Sequence, residues 1–357
     1  MKPVFEKIVA SALLASAPCV LIAAAPAVAQ AQGAAAAEPQ ALEKVPPVSR
    51  AYKPATTPWG DPDLRGIWPI DYLNGLVLER KPEYGNRVFL TDEEFAAAQQ
   101  RQDALRARYE NDSNDDKIGR GHWDEAGEAT RRTSLIVDPP NGRLPARTAE
   151  GQRLASKMRS SWRKGQSFDA PTDFDSWDRC ITRGLPASML PMHYNNGIRI
   201  FQAPGLVAIQ LEMIHETRIV PTDGRAPAPR QISNWMGESR GHWEDGNTLV
   251  VETTNFRPGP SATNIVTVGS PPENDTPVSP QARLVEWFTM TGPDSITYKM
   301  TWTDPVIFTA PWTVQFDWRR NDDYGMFEYA CHEGNVQIRN YITASRAERA
   351  KGKENSQ

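Results

Sequence analysis

Apolar and polar residues alternate with a period of two through much of the second half of the chain, and this alternation predicts strands. Turn sequences such as Glu244-Asp245-Gly246-Asn247 separate some of the alternating runs, as in hairpins. The predicted strands are Ile198 to Phe201, Leu206 to Val220, Thr248 to Phe256, Arg283 to Met290, Ser295 to Thr303, Thr313 to Trp318 and Met326 to Ala330. The pattern predicts a mainly β fold, either an antiparallel β-barrel of lipocalin-like size or a sandwich.

Helical signals come earlier in the chain. Thr91-Asp92-Glu93-Glu94 has the pattern of a capping box, and the residues after it predict a helix up to Tyr109. A second helix is predicted from Thr148 to Trp162, where large apolar residues recur every four positions. We therefore expect a small helical and extended portion, residues 57–175, packed on an antiparallel β domain of residues 176–346.

The two ends of the chain predict segments outside these domains. Residues 1–29 combine early lysines, an apolar run and A-x-A sites, which is the order of a secretory signal peptide. A membrane anchor is the alternative, but prolines interrupt the run, so we expect no stable membrane insertion. Residues 30–56 are rich in Ala and Pro and predict a disordered linker, and the charged residues 347–357 predict a disordered tail. The expected location is periplasmic or secreted.

The net charge and the absence of known motifs exclude several classes of function. The formal net charge is -4 and no Lys/Arg block occurs, so nucleic acid is not an expected partner. The sequence lacks the glycine-rich nucleotide motifs, G-x-S-x-G and C-x-x-C. His215-Glu216 begins like the zinc motif H-E-x-x-H, but Ile219 stands where the second histidine would be. We expect no cofactor; a metal ion bound by scattered histidines is the minority alternative.

Two cysteines remain after the predicted signal peptide, Cys180 and Cys331. An even pair in an oxidising compartment predicts one disulfide, and two buried free thiols are the alternative. A disulfide would bring Arg183, His332 and Glu333 together and place His193 within reach. Such a cluster fits either an acid/base site or a structural group of salt bridges.

Histidines close to carboxylates and amides are the candidate catalytic groups. Along the predicted strand Leu206 to Val220, His215 ends an apolar row, where an imidazole in a hydrophobic pocket could move a proton near neutral pH. A hydrogen-bonded core histidine, a capping turn at 193–197 and a surface hairpin at His242 are the corresponding structural alternatives. The predicted catalytic residues are His193, Tyr194, Glu212, His215, His332 and Glu333, and the predicted substrate-binding residues are Arg183, Asn195, Arg240 and His242.

These residues predict an enzyme that acts on an apolar, aromatic or terpenoid-like small molecule by cofactor-free acid/base chemistry, as a lyase, isomerase or hydrolase. The aromatic content suits an apolar pocket. The alternative is a non-catalytic periplasmic β-barrel protein that binds a lipophilic ligand.

Six motifs are spread along the chain: PDLRGIW, SLIVDPPNGRLP, RCITRGLP, MIHETRIVPTDGR, SRGHWEDGNTLVVETTNF and YACHEGN. Together they resemble a large family of secreted proteins from Gram-negative bacteria. The resemblance covers about residues 57–346 and implies a secreted single unit in which Cys180 and Cys331 belong to one framework. It implies no particular activity.

Overall fold

A computed structural model describes residues 42–114, 119–259 and 276–354. In these ranges ten strands form two antiparallel sheets, one in the order β1-β3-β4-β5 and the other in the order β2-β10-β9-β8-β7-β6. The strands are β1 Gly66–Ile67, β2 Ile136–Asp138, β3 Ile198–Ala203, β4 Leu206–Leu211, β5 Thr217–Pro221, β6 Glu238–Glu244, β7 Thr248–Thr254, β8 Arg283–Gly292, β9 Ser295–Thr303 and β10 Trp312–Arg319. The helices are α1 Asp92–Asn114, α2 Ala149–Ala155 and α3 Gln337–Glu354.

The mainly β prediction is confirmed. Period-two alternation located β3 and β7 to β10 to within a few residues, and the predicted limits of β9 agree with the observed ones. Of the two predicted architectures, the sandwich-like one fits, because the described strands form two separate sheets rather than one closed barrel. The capping box is present: Thr91 Oγ1 accepts from the Glu94 N–H at 3.2 Å, and the Glu94 carboxylate accepts from the Thr91 N–H at 2.9 Å.

The predicted long strand from Leu206 to Val220 is wrong. The chain leaves β4 at Leu211, makes a short 3₁₀ turn and returns as β5, antiparallel to β4. Ile214 and His215 take left-handed conformations in this turn, with φ of 59° and 42°. Because the strand is broken, the two-residue period stops there, and His215 does not end an apolar row.

Three further predictions differ from the structure. Residues 326–330 form no strand, because the Phe327 N–H donates to the carboxylate of Glu212 at 3.0 Å instead of to a neighbouring strand. The second helix ends at Ala155, seven residues before the predicted end. The predicted disordered tail is helical as far as Glu354, since α3 begins at Gln337 and its Tyr341 packs against Phe168 and Phe174.

Most of the core is one hydrophobic cluster with residues from both sheets, and Met192, Met213 and Ile214 form a smaller second cluster. Residues 57–175 do not only pack on this core; they also belong to the sheets. Their β1 pairs with β3 and their β2 pairs with β10, so they supply an outer strand to each sheet. Four tryptophans in the larger cluster are fully buried: Trp68, Trp302, Trp312 and Trp318.

The predicted linker falls partly outside the described residues, as does the whole predicted signal peptide. Its described part, residues 42–56, makes contacts with the folded domain, which a disordered linker would not make. The carbonyl of Leu42 accepts from the N–H groups of Val88 and Phe89, and Tyr52 packs against the core cluster. Backbone hydrogen bonds and the packed Tyr52 ring thus hold this segment in place, although its composition predicted a disordered linker. In the described ranges, no helix is long and apolar enough to cross a membrane.

Candidate active site

A tight turn between Met192 and Gly197 forms the base of the site. The side-chain amide of Asn196 closes the turn by accepting from the Met192 N–H at 2.7 Å and donating to the Met192 carbonyl at 2.6 Å. Asn195 has φ of 54°, a left-handed conformation that asparagine tolerates better than most residues. The sequence Asn-Asn therefore supplies both the closure and the backbone geometry, and it directs two amide groups toward neighbouring carboxylates.

Glu212, at the end of β4, is a buried carboxylate held by hydrogen bonds. It accepts from the Asn195 amide at 3.0 Å, the Gly197 N–H at 2.9 Å and the Phe327 N–H at 3.0 Å. A Cβ on residue 197 would lie 2.6 Å from a Glu212 oxygen and 2.8 Å from the Tyr324 ring, so a larger residue there would displace these two side chains. Glu212 is one of the predicted acid/base residues. In the structure its carboxylate accepts hydrogen bonds from three segments of the chain.

Glu125 is a second carboxylate next to the first, supplied by the loop after α1. It accepts from the Asn195 N–H at 2.9 Å and from the Asn196 amide at 2.6 Å, and its own N–H donates to the His193 carbonyl at 2.6 Å. Burial raises the pKa of the Glu125 carboxyl to about 7, although the hydrogen bond from Asn196 lowers it, and the negative charges of Asp71 and Glu212 add to the rise. This carboxyl exchanges its proton near neutral pH.

Tyr324 joins the two carboxylates. Its hydroxyl lies 2.9 Å from Glu212 Oε2 and 3.2 Å from Glu125 Oε1. Burial and the two neighbouring carboxylates raise the pKa of this phenol well above its usual value, so it stays protonated and acts as a donor. Because a phenol has a single proton, this hydroxyl is a donor that the two carboxylates share.

The segment after β10 carries Tyr324, Phe327 and Tyr329 across the site without forming a strand or a helix. The predicted disulfide holds its far end: Cys331 is bonded to Cys180, with 5.5 Å between their Cα atoms. The near end is tied to β1, since the Asn321 N–H donates to the Ile67 carbonyl at 2.9 Å. One covalent and several hydrogen bonds thus replace regular structure in keeping these aromatic residues in place.

Glu125 lines a cleft of about 660 Å³ whose walls combine aromatic and polar side chains. Trp123 and Phe327 are unusually accessible for their size, with 52% and 74% of their surfaces exposed. The rings of Tyr194 and Tyr329 stack with centroids 6.5 Å apart. The lining residues are Gly121, His122, Trp123, Asp124, Glu125, Tyr194, Asn195, Phe327 and Tyr329. The lining thus combines exposed aromatic surface with two acidic residues, Asp124 and Glu125.

The predicted histidines take three different positions. His193 is half-buried in the turn beneath the cleft, and burial lowers its pKa, so it is neutral at pH 7. His215 and His332 are exposed neighbours with ring centroids 6.0 Å apart, next to the disulfide. His215 Nδ1 lies 2.9 Å from the Tyr329 carbonyl, so this histidine supports the backbone of an aromatic wall.

Of the remaining predicted residues, Glu333 lines a second cleft that shares Tyr194 with the first. Arg183 is buried, donates to the Leu190 carbonyl at 3.2 Å and has its guanidinium 5.8 Å from the Trp177 ring centre. Burial lowers the pKa of Arg183 to about 10, which leaves it charged at neutral pH beneath the aromatic walls.

Arg240 and His242 occupy a different place. Both belong to β6, an edge strand of the six-stranded sheet, and not to a hairpin tip. Arg240 forms an ion pair with Glu238 and donates to the Ala226 carbonyl, and His242 Nε2 lies 3.1 Å from Glu244 Oε1. None of these contacts joins them to the aromatic cleft, whose lining does not include them.

The predicted histidines do not form a metal centre. Among the described residues, no group of three or more His, Cys, Asp or Glu side chains is placed to hold an ion. His215 and His332 are neighbours, but His193 and His242 lie elsewhere, so the four histidines do not converge.

Sequence reasoning missed Glu125, Tyr324 and Trp123. Trp123 and Glu125 sit in a charged loop whose composition predicts solvent exposure, and Tyr324 lies in a polar turn after β10. The one signal for them in the sequence is the pair Asn195-Asn196, whose amides must find acceptors once the turn is buried. The acceptors are two carboxylates distant in sequence. Glu125 lies 70 or more residues from the asparagines, and Glu212 lies 17 residues from Asn195.

Comparisons of the chain with protein-family models, with curated proteins and with solved structures found no match. The resemblance to secreted proteins of Gram-negative bacteria stays a prediction.

Proposed function

We propose that this protein is an enzyme that moves a proton on an apolar, aromatic or terpenoid-like small molecule without a cofactor, in a lyase or isomerase type of reaction. The observation that carries the proposal is Glu125: a carboxyl with a pKa of about 7, held by two amides, at the wall of an aromatic cleft. A group with a pKa near the working pH is the most effective general acid or base.

In this mechanism Glu125 removes a proton from the ligand carbon and returns it at another position or to a leaving group. The Asn195 N–H, the Asn196 amide and the Tyr324 hydroxyl are donors to the carboxylate before and after transfer, so its orientation does not depend on its charge. Negative charge that develops on a ligand oxygen needs a nearby donor. The Tyr329 phenol lines the cleft, and burial raises its pKa, so it keeps its proton for this purpose.

The cleft walls select the ligand class. Trp123 and Phe327 expose large apolar surfaces, which bind a ring or branched hydrocarbon by excluding water. Arg183 places a positive charge beneath Tyr194 and Tyr329, which favours a ligand oxygen that becomes negative during the reaction.

The proposed location is the periplasm or the medium, following the signal-peptide pattern of residues 1–29. The Cys180–Cys331 disulfide supports this proposal because such bonds persist in oxidising compartments.

Deuterium exchange tests the activity on a range of candidate compounds. The secreted protein is incubated in D₂O at pH 7 with a panel of small cyclic and aromatic ketones, and deuterium on the carbon next to the carbonyl is followed by mass spectrometry. We expect exchange well above the buffer rate for some compounds, because the mechanism begins with removal of such a proton. If compounds bind but none exchanges or reacts, the enzyme proposal fails.

That outcome would favour the second candidate, a carrier of a lipophilic ligand. The specific observation for it is the exposure of Trp123 and Phe327 at the mouth of the cleft, which serves binding with or without chemistry.

A further inference from the structure

A separate cavity of about 530 Å³ lies between the N-terminal segment and the six-stranded sheet. It shares no lining residue with the aromatic cleft. Residues 45–49 form one wall, and β10 contributes another through Gln315, Phe316, Asp317 and Arg319. The volume is in the range of ordinary small-molecule sites.

Arg132 is the unusual group in this cavity. Its Nε is buried and has no hydrogen-bond partner among the described residues, while its Nη2 donates to the Ser134 carbonyl at 3.2 Å. In the described part of the chain no carboxylate lies within ion-pair distance of it. Arg132 is half-buried as a whole residue, and its guanidinium carbon lies 5.8 Å from the centre of the Phe89 ring. Burial lowers the pKa of Arg132 to about 10, although the more distant charge of Asp317 opposes this shift, so the group remains charged.

The charged residues in the lining are three arginines and one aspartate. Arg131 pairs with Asp92 at 2.6 Å, and Arg319 pairs with Glu128 at 2.7 Å, both outside the lining. Asp317 is the acidic residue in the lining, and its Oδ1 already accepts from Thr297 Oγ1 at 2.6 Å. Arg132 therefore has donor capacity that an incoming anion could use.

Eight apolar side chains line the cavity together with these charged groups and with several hydroxyl and amide groups. Its lining includes side chains from the N-terminal segment, from the residues after β1 and from the sheet: Val45, Pro46, Pro47, Val48, Leu73, Leu76, Phe89 and Phe316. The segment 42–52 is fixed at both ends, by Leu42 pairing with Val88 and Phe89 and by the Asn247 amide donating to the Tyr52 carbonyl at 3.2 Å. Its middle forms the wall without belonging to a helix or a strand.

We propose that this cavity binds an amphipathic anion, whose carboxylate, sulfonate or phosphate head meets the Arg132 guanidinium and whose apolar body lies against Leu73, Leu76 and residues 45–48. A guanidinium fork suits such planar or tetrahedral anionic groups. The site is independent of the proton-transfer chemistry proposed for the aromatic cleft.

Two fluorescent probes that differ by one charge test the proposal. 1-Anilinonaphthalene-8-sulfonate carries a sulfonate, and N-phenyl-1-naphthylamine is the same molecule without it. In fluorescence titrations of the full secreted protein, Arg132→Gln is expected to weaken binding of the sulfonate probe by about tenfold or more, since a charge-assisted hydrogen bond is lost. Binding of the neutral probe should change by less than about twofold.

Arg131→Gln is the matched control, because it makes the same charge change at the adjacent residue, whose guanidinium is already paired with Asp92. We expect it to weaken sulfonate binding by no more than about threefold, the effect of a partly screened charge. Val48→Trp, which fills the cavity from its wall, should remove the saturable sulfonate binding and so provides a second test if Arg132→Gln does not fold. Unchanged sulfonate affinity in Arg132→Gln or in Val48→Trp, or equal losses in the two arginine variants, would overturn the proposal.

Discussion

Replacing Glu125 by glutamine is expected to lower kcat/KM for the exchange or isomerisation reaction by about 100- to 10,000-fold, the usual contribution of a general acid or base. Glutamine keeps the size of the side chain and an oxygen that can accept from Asn196, but it cannot take up a proton. Steady-state rates with the compound that exchanges fastest measure the effect, and the affinity for that compound should change by less than about fivefold.

The control for this variant is Glu128→Gln, three residues further along the same loop. Glu128 pairs with Arg319 on the surface, with half of its side chain exposed, so its loss should leave the rate within about twofold. Tyr324→Phe adds a second check, because it removes the hydroxyl between the two carboxylates and should shift the pH profile of the reaction. A Glu125→Gln protein that keeps the full rate would exclude Glu125 as the acid/base group.

Replacing Glu286 by alanine is expected to lower the free energy of unfolding by about 3 to 5 kcal/mol. Glu286 on β8 and Arg218 on β5 form an ion pair between the two sheets, and their exposed fractions are 0% and 4%. The Tyr298 hydroxyl also donates to Glu286, at 2.9 Å. Without the carboxylate, the Arg218 guanidinium stays buried with no counter-ion, which is the costly outcome. Urea denaturation gives the free energy.

Two control variants distinguish the cost of leaving a buried charge unpaired from the loss of an ion pair as such. Glu252→Ala removes the partner of Arg283, a pair in the same sheet whose side chains are about half exposed, and should cost less than about 1 kcal/mol. The double variant Arg218→Met with Glu286→Leu should recover most of the lost stability, because no charge remains buried. A loss below about 1 kcal/mol for Glu286→Ala would show that water reaches Arg218 between the sheets.

Period-two patterning was sufficient to locate four strands of the six-stranded sheet, β7 to β10, because short runs of β-branched and aromatic residues are bounded there by turn residues. It failed between β4 and β5. Ile214 and His215 adopt left-handed conformations there, and this turn contains no glycine or proline that would predict a break in the strand. It also failed for α3, whose charged sequence resembles a free tail although Tyr341 anchors it on Phe168 and Phe174.

The candidate site was predicted only in part for a related reason. Tyr194, Asn195 and Glu212 do meet at one cleft or directly behind it, but the carboxyl with the raised pKa is Glu125. Its pKa depends on burial and on the negative charges of Asp71 and Glu212, and none of these is a property of its local sequence. A carboxylate in a charged loop carries no sign that the fold will bury it.

The most direct test of the central claim is the titration of the Glu125 carboxyl itself. In protein labelled with ¹³C-glutamate, the resonance lost in Glu125→Gln identifies this residue, and its chemical shift is followed from about pH 4 to about pH 9. The proposed acid/base role predicts a midpoint near 7, as burial beside Glu212 requires. A midpoint below about 5, the range of an ordinary glutamate, would contradict it and leave the aromatic cleft as a binding site only.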